Sequence, residues 1–365
     1  MAAVEGSVEK GFEPVKELLA RNFASQIEYN AQLCVFHKGK KVIDIWGSGI
    51  GDNTYGPDTL QTVFSSTKSV TAIVIAVGVD RGFLDYNQKV TTYWPEFGNN
   101  GKGDVTLADV LRHEAGLPAF TQRFEWEDIL PEQIKKNAVG KVIEEQAQFF
   151  PPKKSGTKRI YHGLTRGWIL NEIFRRGEPS GRTIGEFLRE EIAKPLKIDV
   201  IIGAEDSDLE RFAKLQIWGL GYCFAQSLIP TFLGRKIEPN FFQLKNTLSF
   251  FATKQQYKKD EEIEGTEDFN PVPPFRGTGK IFGLVDKFNQ SPARKGEIPS
   301  ANGACTARGL AKLGACILNG GEIDGIRIIS QQGVARMLEQ PKKSRDHGFI
   351  DFITDFTQGG VNIAQ

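Results

Sequence analysis

The chain has 365 residues, room for one large or two ordinary domains, and its 40% hydrophobic and 25% charged residues are a globular rather than a disordered balance. A net charge of +1 gives no electrostatic case for binding nucleic acid. No apolar run approaches the roughly 18–20 residues of a membrane helix, and Met1–Lys10 lacks a leader's basic flank and apolar stretch, so a soluble, cytoplasmic protein with no membrane partner is expected. Taken from the start, Phe12, Val15, Leu18, Leu19 and Phe23 fall roughly on one stripe and predict a helix within 11–29. The β-rich runs Gln32–His37 and Lys41–Trp46 flank Lys38-Gly39-Lys40 and predict a hairpin. Asp58–Phe64 leads into Ser65-Ser66-Thr67-Lys68, where the pattern turns helical. Val70, Ile73, Val74 and Val77 recur at i, i+3, i+4 and i+7, and Gly82 stands as a stop. From about 85 to 215 helices and loops alternate. Thr106 is placed to cap Leu107–His113, and Thr183 to cap Ile184–Ala193 before a stop at Pro195. Residues 251–300 read as loop-rich, with a solvated charged run over 254–267 and prolines at 271, 273 and 274. Thr306–Ile317 predicts another helix, followed by the Asn319-Gly320-Gly321 turn and a short strand at Ile326–Ile329. No internal repeat or linker divides the chain, so residues 1–365 are expected to form a single domain. Cys34, Cys223, Cys305 and Cys316 lie far apart with no CxxC pair and read as free, buried thiols.

The sharpest chemical feature is Ser65-Ser66-Thr67-Lys68 at the head of the apolar helix. A serine hydroxyl is a weak nucleophile until a base takes its proton. Residues three apart share a helix face, so Lys68 is placed to be that base or its relay. The positive end of the helix favours an alkoxide and holds a nearby ammonium pKa down. The same tetrapeptide also suits a capped helix start with an exposed lysine, and alone it does not decide. His113-Glu114 is followed by Ala115, Gly116 and Leu117, so no HExxH motif is present. His37, His113, His162 and His347 show no ligand spacing, and Gly277-Thr278-Gly279-Lys280 lacks the rest of a phosphate loop. Neither a metal nor a cofactor is expected. Lys153, Lys154, Lys158 and Arg159 form a basic patch that reads as solvated loop or as an attractor for an anionic substrate.

Around the serine motif stand His113-Glu-Ala-Gly-Leu-Pro118, Tyr161-His-Gly-Leu-Thr-Arg-Gly-Trp168 and Pro299-Ser-Ala-Asn-Gly-Ala-Cys-Thr-Ala-Arg-Gly-Leu310. In this order the segments resemble the serine β-lactamase-like family, closest to class C β-lactamases and family VIII-type esterases, over about residues 12–340. The resemblance implies an α+β fold, with an antiparallel sheet flanked by helices and built from residues 12–80 and about 300–365. A helical, loop-rich subdomain at about 85–300 would be inserted, with the site between the two. It implies that Ser65 is the acylated nucleophile, Lys68 its partner and Tyr161 the phenolic base sharing a proton with Lys68. An ordinary phenol, with a pKa near 10, is a poor base at neutral pH unless a neighbouring cation stabilises its anion, and Lys68 would supply that cation. His162, Asn302 and Gly303 would line the substrate side, and His113–Pro118 would be a structural turn near the site.

Two departures from the family matter. The third position of the tyrosine motif, an asparagine in β-lactamases, is Gly163, which ranks ester hydrolysis above β-lactam hydrolysis. The third family motif, a Lys-Thr-Gly or His-x-Gly strand, has no convincing match, because residues 341–365, Asp346-His347-Gly348 among them, read as loop. Losing that strand would remove one oxyanion donor, a cost of about 10²–10³ in rate, and leave the hairpin with an open edge. A truncated or variant member, poorly soluble and nearly inactive when expressed as these residues alone, is therefore expected. The expected function is a serine hydrolase acting on a small-molecule ester or amide. The alternative is a catalytically impaired scaffolding member that self-associates as a homo-oligomer.

Overall fold

The computed structural model describes residues 4–25, 28–149, 159–216, 281–346 and 353–363, with Phe275 and a few other isolated positions. Lys153, Lys154, Lys158, Cys223, the 254–267 run, the prolines at 271, 273 and 274, Gly277–Lys280 and His347-Gly348 lie outside the described residues.

The N-terminal layer is a three-stranded antiparallel sheet of β1 (Val4–Val8), β2 (Asn30–His37) and β3 (Lys40–Ser48), in the order β1-β3-β2. The two-residue turn between β2 and β3 places Lys38 and Gly39 at φ 50° and 76°, the left-handed pair that a tight hairpin requires. Helix α1 (Glu13–Ala24) lays Leu19 and Phe23 on Val42, Ile43 and Ile45 of β3. Strand β1 carries no alternating pattern that would announce it. It forms because β3 offers an unpaired edge, and Gly6 (φ 87°) passes so close that a Cβ there would lie 2.1 Å from the Asp44 carbonyl oxygen.

This pairing differs from a sheet built by both chain ends. Among the described strands the sheet comes from residues 4–48 alone, and the outer edge of β2 pairs with none of them. The reading of residues 341–365 as loop is corrected as well. There β9 (Lys342–Arg345) and β10 (Ile353–Phe356) pair antiparallel as a separate ribbon. Its register follows from tertiary anchors described below rather than from an apolar pattern.

The central element is α2 (Thr67–Asp80), apolar on nearly every face and therefore buried on nearly every face. Against it packs α6 (Thr165–Gly177), whose Trp168, Ile169, Leu170, Ile173 and Phe174 share one core with Val74, Ile75 and Val77; α3 (Leu107–Leu111) and α5 (Ala138–Glu145) pack on α6, and α4 (Pro131–Lys135) on α5. Thr106 caps α3 with Asp109, and Thr183 caps α7 (Ile184–Phe187) with Glu186, two reciprocal capping boxes. Pro195 does not stop the run after α7. A π turn at Leu188–Ala193 precedes it, proline sits in the first turn of Lys194–Leu196 where no helical N–H is needed, and the chain leaves at Lys197 in a left-handed conformation.

Helices α8 (Ile281–Phe288) and α9 (Ser291–Lys295) lead to a small sheet in which β6 (Ala304–Cys305) lies between β4 (Gln61–Thr62) and β5 (Val200–Ile201). Helix α10 (Ala307–Leu318), capped by Thr306, packs on β2. The tight pair β7 (Glu322–Ile323) and β8 (Ile326–Arg327) follows, and α11 (Gln331–Leu338) packs against α2. Cys34, Cys305 and Cys316 are unbridged, and no described helix is long and apolar enough to cross a membrane.

Candidate active site

Ser65 lies in the single 3-10 turn Phe64–Ser66 that opens onto α2, and its side chain is exposed. The residue before it, Phe64, adopts φ 43°, a left-handed conformation that a bulky side chain adopts only under strain. Its ring is held edge-on to Phe288 of α8, with centroids 5.8 Å apart. Lys68, one turn on, is buried. Its Nζ lies 3.4 Å from Ser65 Oγ and donates to the carbonyl oxygens of Gly163 (2.7 Å) and Ser300 (2.9 Å). Tyr161, 96 residues after Ser65, donates its hydroxyl to Ser65 Oγ at 2.8 Å, and the Lys68 ammonium stands 4.7 Å from the tyrosine ring centre. Burial first, and the positive charge of Arg166 second, bring the Lys68 pKa down to about 7.

One face of α2 clasps the segment 297–303. Thr71 donates to Pro299 O (2.6 Å), Lys68 to Ser300 O, and Thr67 Oγ1 accepts from Gly303 N (3.0 Å). Thr71 lies three residues after Lys68 and four after Thr67, so it neighbours both along the helix surface. Gly303 has no room for a side chain: a Cβ would stand 2.7 Å from Thr67 Oγ1. Asn302 is buried and turned inward, accepting from Ile298 N and donating to Ala293 O and Gly296 O. It shapes the segment that presents the Ser300 carbonyl to Lys68.

A second strap aligns Tyr161. His162 is fully buried, with Nδ1 donating to Ile160 O and Nε2 accepting from Leu117 N (3.0 Å). Both ring nitrogens are thus used internally, and burial drives its pKa down to about 4, so the ring is neutral. His113 Nδ1 accepts from His162 N (2.9 Å), its ring lies 4.8 Å from that of Tyr161, and burial pushes its pKa well below the usual value. Tyr161 N donates to Asp346 (3.2 Å) at the end of the C-terminal ribbon. Glu114, beside His113, receives Arg159 (2.8 Å) and Lys342 (2.7 Å), while Arg159 also donates to Thr354. The basic residue of the 153–159 patch that is described is therefore a buried strut.

Ser65, Lys68 and Tyr161 meet at one point. Gly303 and Asn302 stand behind Lys68, and His162 stands behind Tyr161. The sequence reading missed Thr67, Thr71, Ser300, Glu114, Asp346 and Arg166. Two of the groups that hold Lys68 are main-chain carbonyls, which leave no residue-type signal; the Ser/Thr hydroxyls spaced along the start of α2 were the available clue.

The sequence profile of the Beta-lactamase family matches residues 19–351. The chain is 30% identical over 334 residues to the esterase/beta-lactamase LipL of Mycobacterium tuberculosis, covering 90% of this chain and 68% of that protein. A penicillin-binding protein homologue from Caulobacter crescentus superposes with a TM-score of 0.72 at 30% identity, covering 98% of this chain and 82% of that one. A family VIII carboxylesterase gives a TM-score of 0.72 at 26% identity with the same coverage.

Proposed function

This chain belongs to the Beta-lactamase family, and from that premise we propose that it is a serine hydrolase cleaving a small-molecule ester through an acyl-Ser65 intermediate. The observation that carries the reading is the convergence of Tyr161 Oη and Lys68 Nζ on Ser65 Oγ. A neutral amine has two N–H donors and one lone pair. Lys68 directs two N–H groups to Gly163 O and Ser300 O, which leaves the lone pair for the serine proton. As the ammonium it has no lone pair and cannot serve as base.

In acylation, Ser65 Oγ forms a bond to the ester carbonyl carbon while its proton passes to the Lys68–Tyr161 pair. That proton then goes to the leaving alcohol as the ester C–O bond breaks. Water repeats the sequence in the opposite sense and frees Ser65. Esters rank above β-lactams because Gly163 supplies no side-chain amide where a lactam-recognising asparagine would stand, and relatives named as an esterase/beta-lactamase and a carboxylesterase support that ranking.

A fluorophosphonate probe should label Ser65, and hydrolysis of p-nitrophenyl butyrate should vanish in Ser65→Ala. A label mapped to Ser66 or Ser69 overturns the assignment. A folded chain that resists the probe and leaves the ester intact belongs to the catalytically impaired, self-associating reading instead.

A further inference from the structure

One buried cation beside the site lacks a carboxylate partner among the described residues. Arg166, the second residue of α6, is 2% exposed, and its Nε and Nη2 donate to nothing among the described residues. Buried charges are ordinarily paired, because leaving water costs several kcal/mol per ion. Arg159 follows that rule through Glu114. Arg166 does not: among the described residues no carboxylate stands against it.

Arg166 stands between Gly163, whose carbonyl receives Lys68 Nζ (2.7 Å), and Gly167, whose N–H donates to Ser300 Oγ (2.7 Å), so it leaves the chain beside the contacts that hold Lys68. Arg166 acts electrostatically on Lys68, His113 and His162, in each case disfavouring the protonated form after burial has done so. Burial brings Arg166 itself down to about 10, and Tyr161 acts in the opposite sense, favouring the guanidinium. Among the described residues, the charged and titratable groups set against Lys68 are Arg166, Tyr161 and the two neutral histidines. Glu114 is occupied by Arg159 and Lys342, and Asp346 by the Tyr161 N–H. The guanidinium is also held in place: a Cβ at Gly360 would stand 2.5 Å from Nη2, so the main chain after β10 closes directly over it.

We propose that Arg166 is a positioning residue for hydrolysis, an uncompensated buried charge that keeps Lys68 in its unprotonated, base-competent form and supplies the counter-charge whenever Tyr161 gives up its phenolic proton. This rests on the roles given above to Ser65, Lys68 and Tyr161. It explains why evident electrostatic cost is retained at this position. The negative charge that would pair Arg166 arises only when the proton leaves Tyr161, so the pairing belongs to the reaction rather than to the resting fold.

The test reads Lys68 directly, by 13C NMR of protein carrying lysine labelled at Cε, with the Lys68 signal assigned by its loss in Lys68→Met. Wild type should titrate near pH 7. In Arg166→Met the midpoint should rise by on the order of one pH unit, and the acid limb of kcat/KM should move with it. Arg166→Lys, which restores the charge, should keep both near wild type. Because an unpaired charge is replaced by an apolar chain of similar reach, Arg166→Met should melt no lower than wild type. A Lys68 midpoint unmoved in folded Arg166→Met overturns the proposal. If ester hydrolysis is then intact, the hydrolase reading survives it. If instead the midpoint rises while no variant, nor wild type, turns over ester, the charge relation stands and the hydrolase reading is what fails.

Discussion

At the scale of single residues, Lys68 is decided by its two carbonyl acceptors. A lysine with an ordinary pKa near 10.4 would be almost wholly protonated at pH 7 and useless as a base. Burial and Arg166 bring Lys68 to about 7, where a large fraction carries the lone pair that the proposed base role requires. Because Tyr161 meets Ser65 Oγ and Lys68 stands over its ring, the two are expected to behave as one proton-accepting unit. Tyr161→Phe and Lys68→Ala should each lower kcat strongly, by about 10²-fold or more, and the double variant should be little worse than either. Steady-state kinetics on the three variants checks this. Fully additive losses would mean that the residues act independently. The SxxK spacing made Ser65 and Lys68 legible in advance, whereas nothing in the sequence announced the carbonyls of Gly163 and Ser300.

At the scale of elements, the segment 297–303 joins two helices, α6 and α7, at one buried carboxyl. Glu297 receives Thr183 Oγ1 (2.6 Å) from the α7 cap, Asn171 Nδ2 (2.8 Å) from α6 and Gly185 N (3.3 Å), with no cation among these partners. Burial raises its pKa to about 7. A carboxyl raised in the folded state keeps a proton that the unfolded chain has already released, so folding is favoured at low pH. That advantage is lost as pH climbs from about 4.5 to about 7. Glu297→Gln removes the titration. The stability difference between wild type and Glu297→Gln should therefore change by about 3 kcal/mol across that window, wild type losing ground as pH rises, in urea unfolding at successive pH values. A difference that stays constant over the window would show that Glu297 does not titrate there. Because this segment carries the carbonyls that hold Lys68 and Thr71, any loosening should also lower turnover.

At the scale of the whole molecule, the C-terminal ribbon is attached to the site by a charged anchor, with Phe356 packed against His113 and Arg159 beside it. Glu114 and Arg159 are 4% and 0% exposed at their side chains, and Lys342 is 33% exposed. Breaking the buried half strands a guanidinium without its partner, a cost of about 3–5 kcal/mol. Breaking the half-exposed contact costs about 0–1 kcal/mol. Glu114→Ala should therefore remove a large part of a total stability of about 5–15 kcal/mol, while Lys342→Ala is nearly silent. Urea denaturation of the two variants separates them, and equal effects would mean that Lys342 rather than Arg159 carries the ribbon.

What the sequence determined by itself was local. The α2 periodicity, the Lys38-Gly39 turn, the Thr106 and Thr183 caps and the serine–lysine spacing each depend on residues within one or two turns of each other, and each is visible as a pattern. The tertiary structure decided the rest because those choices depend on distant partners. Strand β1 exists through an edge of β3, the β9–β10 ribbon through Glu114 and Arg159, the meeting of Tyr161 with Ser65 through a strap of histidine hydrogen bonds, and the unpaired charge of Arg166 through a burial that no spacing encodes.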